Sequence, residues 1–312
     1  MAQRFLIQVD FKALDGCSEG SIDLKTISFL DRVHIVVDAA NVSGAINFLR
    51  SHFNEFTIYC DVTALSQHSD VISILDNGAT KVFVTESQFG EIVETRSLAD
   101  LSRLIVSIDS SRCSGDPLTT TGEVKGLIRE LAGSADLAIA IPEVYDWSLL
   151  NAIEECAKKE GFPTCYVTLA GDTWEHYEKA LSGGHVPIIP ATGLTVEPQK
   201  HPNRWPMWRL VTTAIHSDRS DGLFPTVVTD QYGVCLGLVY SNHESIEKAI
   251  RSGNGVYWSR SRNKLWIKGA ESGDTQDLIS IRWDCDADAL QFVVRQKGDG
   301  MKPRTCPFGS TV

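Results

Sequence analysis

The chain has 312 residues, of which 43 % are hydrophobic and 22 % charged, and a formal charge of −11. A chain of this length most often makes two domains, and its apolar content supplies material for two cores. The acidic balance excludes a general nucleic-acid or membrane-surface binder, because phosphate backbones are repelled. An anionic substrate would have to be held by a local cationic patch.

The start, Met1 to Asp10, has no long apolar region and does not read as a signal peptide. No apolar run is long enough to span a bilayer. The eight cysteines are scattered, with no Cys-x-x-Cys pair. They read as reduced thiols of a cytoplasmic protein, most of them small buried residues.

Along the chain, short apolar runs alternate with helical stretches. Strands are expected at Phe5–Val9, Val33–Val37, Thr57–Cys60, Lys81–Thr85, Leu104–Ile108, Leu137–Ile141, Cys165–Thr168 and Val186–Ile189. Runs this short and apolar suit strands covered on both faces. Amphipathic stretches lie between them, among them Ser43–Phe53, Val71–Leu75, Glu123–Leu131, Ser148–Lys159 and Thr173–Leu181. Thr120 or Thr121 is placed to cap the third of these, and Gly161 to end the fourth. The alternation implies a parallel α/β sheet, and eight strands fit a (β/α)8-barrel-like domain over residues 1–190. An open doubly wound sheet is the competing arrangement, and periodicity alone does not separate the two.

Residues 191–218 break the pattern. Pro198, Pro202 and Pro206 fall among few periodic positions, which predicts a linker packed on a domain surface. From 219 to 312 the texture is strand-rich and predicts a small α+β domain. Pro225–Asp230 and Val234–Tyr240 form a hairpin candidate around Gln231-Tyr232-Gly233. A helix is expected over Ser241–Ser252, capped by Ser241 or Asn242, then strands at Tyr257–Lys268, Leu278–Trp283 and Leu290–Gln296.

Two segments carry chemistry. In Trp258-Ser259-Arg260-Ser261-Arg262, strand alternation would put Ser259 and Ser261 on one face and Arg260 and Arg262 on the other. Two guanidinium groups on one face make an anion fork, with Lys268 at the strand end. A solvated strand face with paired charges is the competing reading. Trp258 and Trp266 could stack on a purine or fill the core.

The second segment is Asp284-Cys285-Asp286-Ala287-Asp288. On an ideal strand the three carboxylates share a face, with neighbours about 6.7 Å apart and the outer pair about 13 Å apart. One Mg²⁺ holds its oxygens at about 2.1 Å, so the backbone must bend here if the cluster binds one ion. On a strand Cys285 would point away from the carboxylates, towards a separate site. A thiolate favours Zn²⁺ and carboxylates favour Mg²⁺, so two metals of different character are expected. The competing reading is an acidic turn with a buried cysteine. A zinc that activates water needs about three protein ligands and an open position. Cys285 supplies one and Cys306 is the candidate second. No third is evident, and neither His216 nor His243 sits in a ligand pattern.

These segments resemble phosphoribosyl-AMP cyclohydrolase, the enzyme family of the third step of histidine biosynthesis. The matching residues are Asp221-Gly-Leu-Phe224, Val228-Thr-Asp-Gln-Tyr232, Leu236-Gly-Leu-Val-Tyr240, Gly255 to Gly269, Ser272-Gly273, Gln276 and Asp284 to Leu290. The whole chain looks like the N-terminal portion of the fungal multifunctional histidine-biosynthesis proteins. The resemblance implies that Asp284, Asp286 and Asp288 bind Mg²⁺. It also implies that Cys285 binds a catalytic Zn²⁺ at a site shared between the subunits of a homodimer. The implied reaction is hydrolytic opening of the adenine ring between N1 and C6 by zinc-activated water. Ser259, Arg260, Ser261, Arg262 and Lys268 are the expected holders of the phosphorylated nucleotide substrate.

Two departures matter. The family's Gly-Glu-x-Ser-Gly reads Gly269-Ala-Glu-Ser-Gly273 here. Its closing Cys-His segment has no counterpart between Gly298 and Val312, where Met301 stands near its place and Thr305-Cys306 stands for the second cysteine. An altered or truncated C-terminus is the expectation. A non-catalytic form that keeps the nucleotide groove is therefore the alternative. A third reading places phosphoribosyl isomerase-like acid–base work on Asp10 and Asp109, after the first and fifth strands.

Overall fold

The computed structural model describes residues 5–9, 29–30, 32–108, 117–131, 136–141, 147–162, 164–169 and 173–298. The chain divides into two compact units. One holds residues 4–22 and 32–192, and the other holds 1–3, 23–31 and 193–312.

The first unit is a closed barrel of eight parallel strands, which settles the choice between barrel and open sheet. Its strands are β1 (Leu6–Val9), β2 (Arg32–Val36), β3 (Thr57–Asp61), β4 (Lys81–Thr85), β5 (Leu104–Ile108), β6 (Asp136–Ile141), β7 (Cys165–Leu169) and β8 (Val186–Pro190). Closure is made by β1 against β8, with Ile7 opposite Ile189. Every β1–β8 strand falls on an expected run within two residues.

Helices α1 (Val42–His52), α2 (His68–Asp76), α3 (Glu86–Thr95), α4 (Pro117–Leu131), α5 (Trp147–Lys159) and α6 (Trp174–Ser182) alternate with the strands. The barrel interior follows from strand alternation: Leu6, Tyr59, Phe83, Ile105, Tyr166 and Ile188 form one buried cluster. The Phe83 and Tyr166 rings meet edge to face at 5.4 Å. His34 of β2 is also buried, with its ring edge-on to Phe83 at 4.8 Å.

Two details differ from expectation. Helix α4 begins at Pro117, so Thr120 and Thr121 lie inside it rather than at its cap; proline's fixed φ and missing N–H suit a first turn. Helix α3 has a capping box in Thr85-x-x-Gln88, a start signal the sequence carried. Gly161 does follow α5 in the left-handed region, at φ +89°.

The second unit begins within the stretch expected as a linker. From Gly193 onwards the chain belongs to this unit. It forms the two-stranded pair β9 (Leu194–Thr195) and β10 (Trp205–Pro206), then α7 (Met207–Ala214). Met207, Leu210, Val211 and Ala214 recur at helical spacing and are all buried. The proline-rich flanks hid this short amphipathic helix.

The unit's main sheet contains β11 (Phe224–Asp230), β12 (Cys235–Ser241), β15 (Gln276–Trp283) and β16 (Leu290–Gln296), in the order β12-β11-β16-β15. Strands β11 and β12 are the expected hairpin. Its turn is held by Asp230, whose carboxylate accepts the N–H groups of Tyr232 at 2.9 Å and Val234 at 2.8 Å. Helix α8 (His243–Ser252) is capped by Asn242, whose side chain accepts the Ser245 N–H at 2.9 Å. The buried pair Phe29 and Leu30 belongs to this unit too, and the Phe29 carbonyl accepts the Ile281 N–H at 2.8 Å.

The expected single strand over Tyr257–Lys268 is instead the hairpin β13 (Val256–Ser259) and β14 (Lys264–Ile267). Residues 260–263 turn between them, with Asn263 at φ +46°. Asparagine tolerates that left-handed conformation better than most residues. Among the described residues no helix is long and apolar enough to cross a membrane.

Candidate metal and substrate site

Strands β15 and β16 are antiparallel, with Trp283 opposite Leu290. The loop between them is the Asp-Cys-Asp-Ala-Asp segment. It closes on itself: the Asp284 N–H donates to the Ala289 carbonyl at 3.2 Å. Asp284 Oδ1 accepts the N–H groups of Asp288 and Ala289, each at 3.2 Å. Ala287 takes φ +67° with its methyl fully buried, and its carbonyl accepts the His216 N–H at 3.0 Å. An L residue in this region carries strain of about 1 kcal/mol or more, which the surrounding hydrogen bonds must hold.

The backbone therefore bends, but the group it gathers is Asp284, Cys285 and Asp286, and Asp288 is not part of it. The ligand atoms of Asp284, Cys285 and Asp286 all lie within 4.8 Å of one another. This corrects the expectation that Cys285 points away from the carboxylates: its Sγ is 3.9 Å from Asp286 Oδ1. It also corrects the buried-cysteine alternative, since Cys285 is exposed. Metal–oxygen distances of about 2.1 Å and metal–sulfur distances of about 2.3 Å let one ion span about 4.4 Å. Small side-chain rotations bring this hard–soft donor set onto an ion, so the residues fit a metal.

The electrostatics agree with a cation site. Burial pushes the Asp284 carboxyl up, but hydrogen bonds from the loop, led by the Ala289 N–H, outweigh it and hold it below the usual carboxylate range. Asp288 is pushed above that range by burial and then by the charges of Asp286, Asp284 and Asp218. Asp218 is the site neighbour that sequence reasoning missed. It lies 66 positions before Asp284, at the end of the stretch whose prolines predict a linker. His216 Nε2 is 3.5 Å from Asp218 Oδ1, and both are exposed.

The cationic residues arrange differently from expectation. Arg260 and Arg262 stand in the β13–β14 turn, not on one face of a strand. Arg262 Nε donates to Ser259 Oγ at 3.3 Å. Ser261 is exposed, and Lys268 is half-buried in the turn after β14. The Arg260 guanidinium lies 3.8 Å from the Tyr240 ring centroid. Trp258 and Trp266 are both half-buried, and Trp266 packs on Tyr257 at 5.7 Å. Cys306, Met301, Asp10 and Asp109 lie outside the described residues.

A closed α/β barrel is thus followed by a small α+β unit that presents an arginine-bearing turn and an acid–thiol loop. Residues 237–310 match the family model of phosphoribosyl-AMP cyclohydrolase, so the second unit carries a domain of that family. The chain is 38 % identical over 299 residues to a histidine biosynthesis trifunctional protein of Neurospora crassa, covering 94 % of this chain and 32 % of that protein. It is 32 % identical over 291 residues to a histidine biosynthesis bifunctional protein of Schizosaccharomyces pombe, covering 91 % of this chain and 66 % of that one. The trifunctional protein of Saccharomyces cerevisiae is 58 % identical over 86 residues, 28 % of this chain and 11 % of the relative. The chain therefore spans about a third of the first relative's length and just under two thirds of the second's.

Proposed function

We propose that the second unit hydrolyses phosphoribosyl-AMP in histidine biosynthesis, opening the adenine ring between N1 and C6. The observation that carries this reading is the convergence of Asp284, Cys285 and Asp286 on one bent loop inside the matched domain. Asp284, Asp286 and Asp288 would hold Mg²⁺, and Cys285 would hold Zn²⁺, with Cys306 as a further ligand. Bound zinc supplies Lewis-acid activation of water at neutral pH. The protein's own groups bind and orient: Arg260, Arg262 and Lys268, with Ser259 and Ser261, hold the phosphate-bearing ends of the substrate. Guanidinium forks suit that task, and the local positive charge offsets the chain's net −11.

The protein acts as a cytoplasmic homodimer in this reading. Strand β12 lies at an edge of the main sheet, and the β11–β12 hairpin exposes the cross-strand pair Val227 and Leu238 together with Val234. An exposed apolar edge of this kind favours pairing with a second copy.

A second reading, nucleotide binding without turnover, is favoured by one observation: the sequence from Gly298 to Cys306 lacks the Cys-His pair of the family pattern. One experiment decides between the two. The full chain is assayed for ring opening of phosphoribosyl-AMP by ultraviolet absorbance, and its zinc is counted. Turnover with about one Zn²⁺ per subunit, both lost in Cys285→Ser, supports the hydrolase. Nucleotide binding with no zinc and no turnover supports the second reading. Undiminished turnover by Cys285→Ser overturns the assignment of the thiol.

A further inference from the structure

The Arg219–Asp221 turn and Tyr240 have no role in the site described so far, yet they converge on Arg260. The Asp221 carboxylate takes the Arg219 guanidinium as a fork, with Nε to Oδ1 at 2.9 Å and Nη2 to Oδ2 at 2.7 Å. The fork is fixed from below. Gly222, at φ +66°, donates its N–H to the Arg219 carbonyl at 3.0 Å, and Asp221 Oδ1 also accepts the Leu223 N–H at 3.2 Å.

This places the Arg219 guanidinium 5.0 Å from the Tyr240 ring centroid, on the same ring that Arg260 approaches to 3.8 Å. Two cations near one ring repel each other, and Asp221 cancels one of them. Arg219 is thus occupied, whereas Arg260 has no carboxylate partner among the described residues. Arg260 is exposed at the tip of a turn, where a long side chain ordinarily samples many rotamers. The cation–π contact restricts it and leaves its N–H groups free for an anion.

We propose that Tyr240, with Arg219 locked by Asp221, is the positioning residue for Arg260, fixing its guanidinium to receive one phosphate group of the substrate. The proposal rests on the cyclohydrolase reading. It gives a task to Asp221 and Tyr240, which lie 39 and 20 positions before Arg260 in sequence.

The test uses the full chain with Tyr240→Phe, Tyr240→Leu and Asp221→Asn. For phosphoribosyl-AMP, Tyr240→Leu raises KM about fivefold and leaves kcat within twofold, as expected when ground-state anion binding alone is lost. Tyr240→Phe keeps the ring face and the wild-type KM. Asp221→Asn raises KM about two- to threefold through a residue that does not touch the ring. Unchanged KM in Tyr240→Leu, equal damage in Phe and Leu, or a fall in kcat alone overturns the proposal. If the wild-type chain does not turn over phosphoribosyl-AMP, the cyclohydrolase reading falls, and calorimetric titration with inorganic phosphate decides the positioning role. Saturable binding weakened about fivefold in Leu but not in Phe sustains it; no saturable binding, or equal binding in all variants, removes it.

Discussion

The Tyr257 hydroxyl donates to Oε1 of Gln276 at 2.7 Å in the interior of the second unit. Gln276 Nε2 in turn donates to Gln296 Oε1 at 3.0 Å, so β13, β15 and β16 are tied by one polar chain. A Cβ on Gly255 would lie 2.6 Å from that same Gln276 oxygen and 2.9 Å from the Tyr257 hydroxyl. The glycine is there because the hydrogen bond occupies its side-chain space. Tyr257→Phe leaves a buried acceptor short of a donor and should cost about 1–2 kcal/mol. Gly255→Ala forces the pair apart and should cost about 2–3 kcal/mol. Urea unfolding of the second unit measures both, and an alanine variant as stable as wild type would show that the pair is not held closely.

Gly269 and Gly273 separate two reasons for glycine in one turn. Both have positive φ, at +81° and +78°. At Gly269 a Cβ would meet the Asp274 carbonyl and Thr275 nitrogen at 2.5 Å, whereas at Gly273 nothing lies within 4 Å. Gly273→Ala should cost only the conformational penalty, about 1 kcal/mol. Gly269→Ala adds a backbone clash, should cost about 3 kcal/mol, and should shift the adjacent Lys268 enough to raise the substrate KM. Equal melting temperatures for the two variants would contradict this.

The barrel was legible because its strands are covered on both faces and so read as short apolar runs. Val82-Phe83-Val84 and Leu104-Ile105-Val106 are buried throughout. Closure was not legible, since the Ile7–Ile189 pairing joins residues at opposite ends of the unit. The arginine-bearing turn was misread because Arg260-Ser261-Arg262 holds no glycine or proline, and Asn263 was its one turn signal. At the site, the acid–thiol motif was plain but its bend was not. Alanine seldom takes a positive φ, and Ala287 does so only inside a loop pinned by Asp284 and His216. Asp218 and the Tyr240–Arg260 contact are tertiary and leave no local trace.

Asp284 has a structural and an electrostatic task that substitution can separate. Its Oδ1 holds two loop N–H groups, and an asparagine oxygen can accept the same pair. Asp284→Asn should therefore keep the loop at a cost of about 1 kcal/mol, while Asp284→Ala should cost about 2–3 kcal/mol. Both remove the charge that a divalent cation needs. Added Mg²⁺ should raise the wild-type melting temperature by mass action and leave both variants unmoved. A Mg²⁺-dependent shift retained by Asp284→Asn would exclude this carboxylate as a ligand.

His34 makes barrel stability depend on pH. Burial lowers its pKa from 6.5 to about 4, against a smaller upward pull from Asp61. Neither ring nitrogen has a hydrogen-bond partner among the described residues. The folded-state pKa lies below the unfolded one, so above pH 6.5 both states are neutral and protonation costs nothing. As pH falls from 6.5 towards 4, the unfolded chain takes up a proton that the folded barrel refuses. The His34 contribution to stability should then fall by about 1.4 kcal/mol per pH unit, to a total of about 3 kcal/mol, and level off below pH 4. His34→Leu removes this dependence, and at pH 7 it also removes two unpaired buried polar atoms. Urea unfolding of wild type and His34→Leu at pH 7 and pH 4.5 should therefore show a stability gap that widens in acid. A gap that stays constant would mean that the imidazole is protonated, or meets water, inside the barrel.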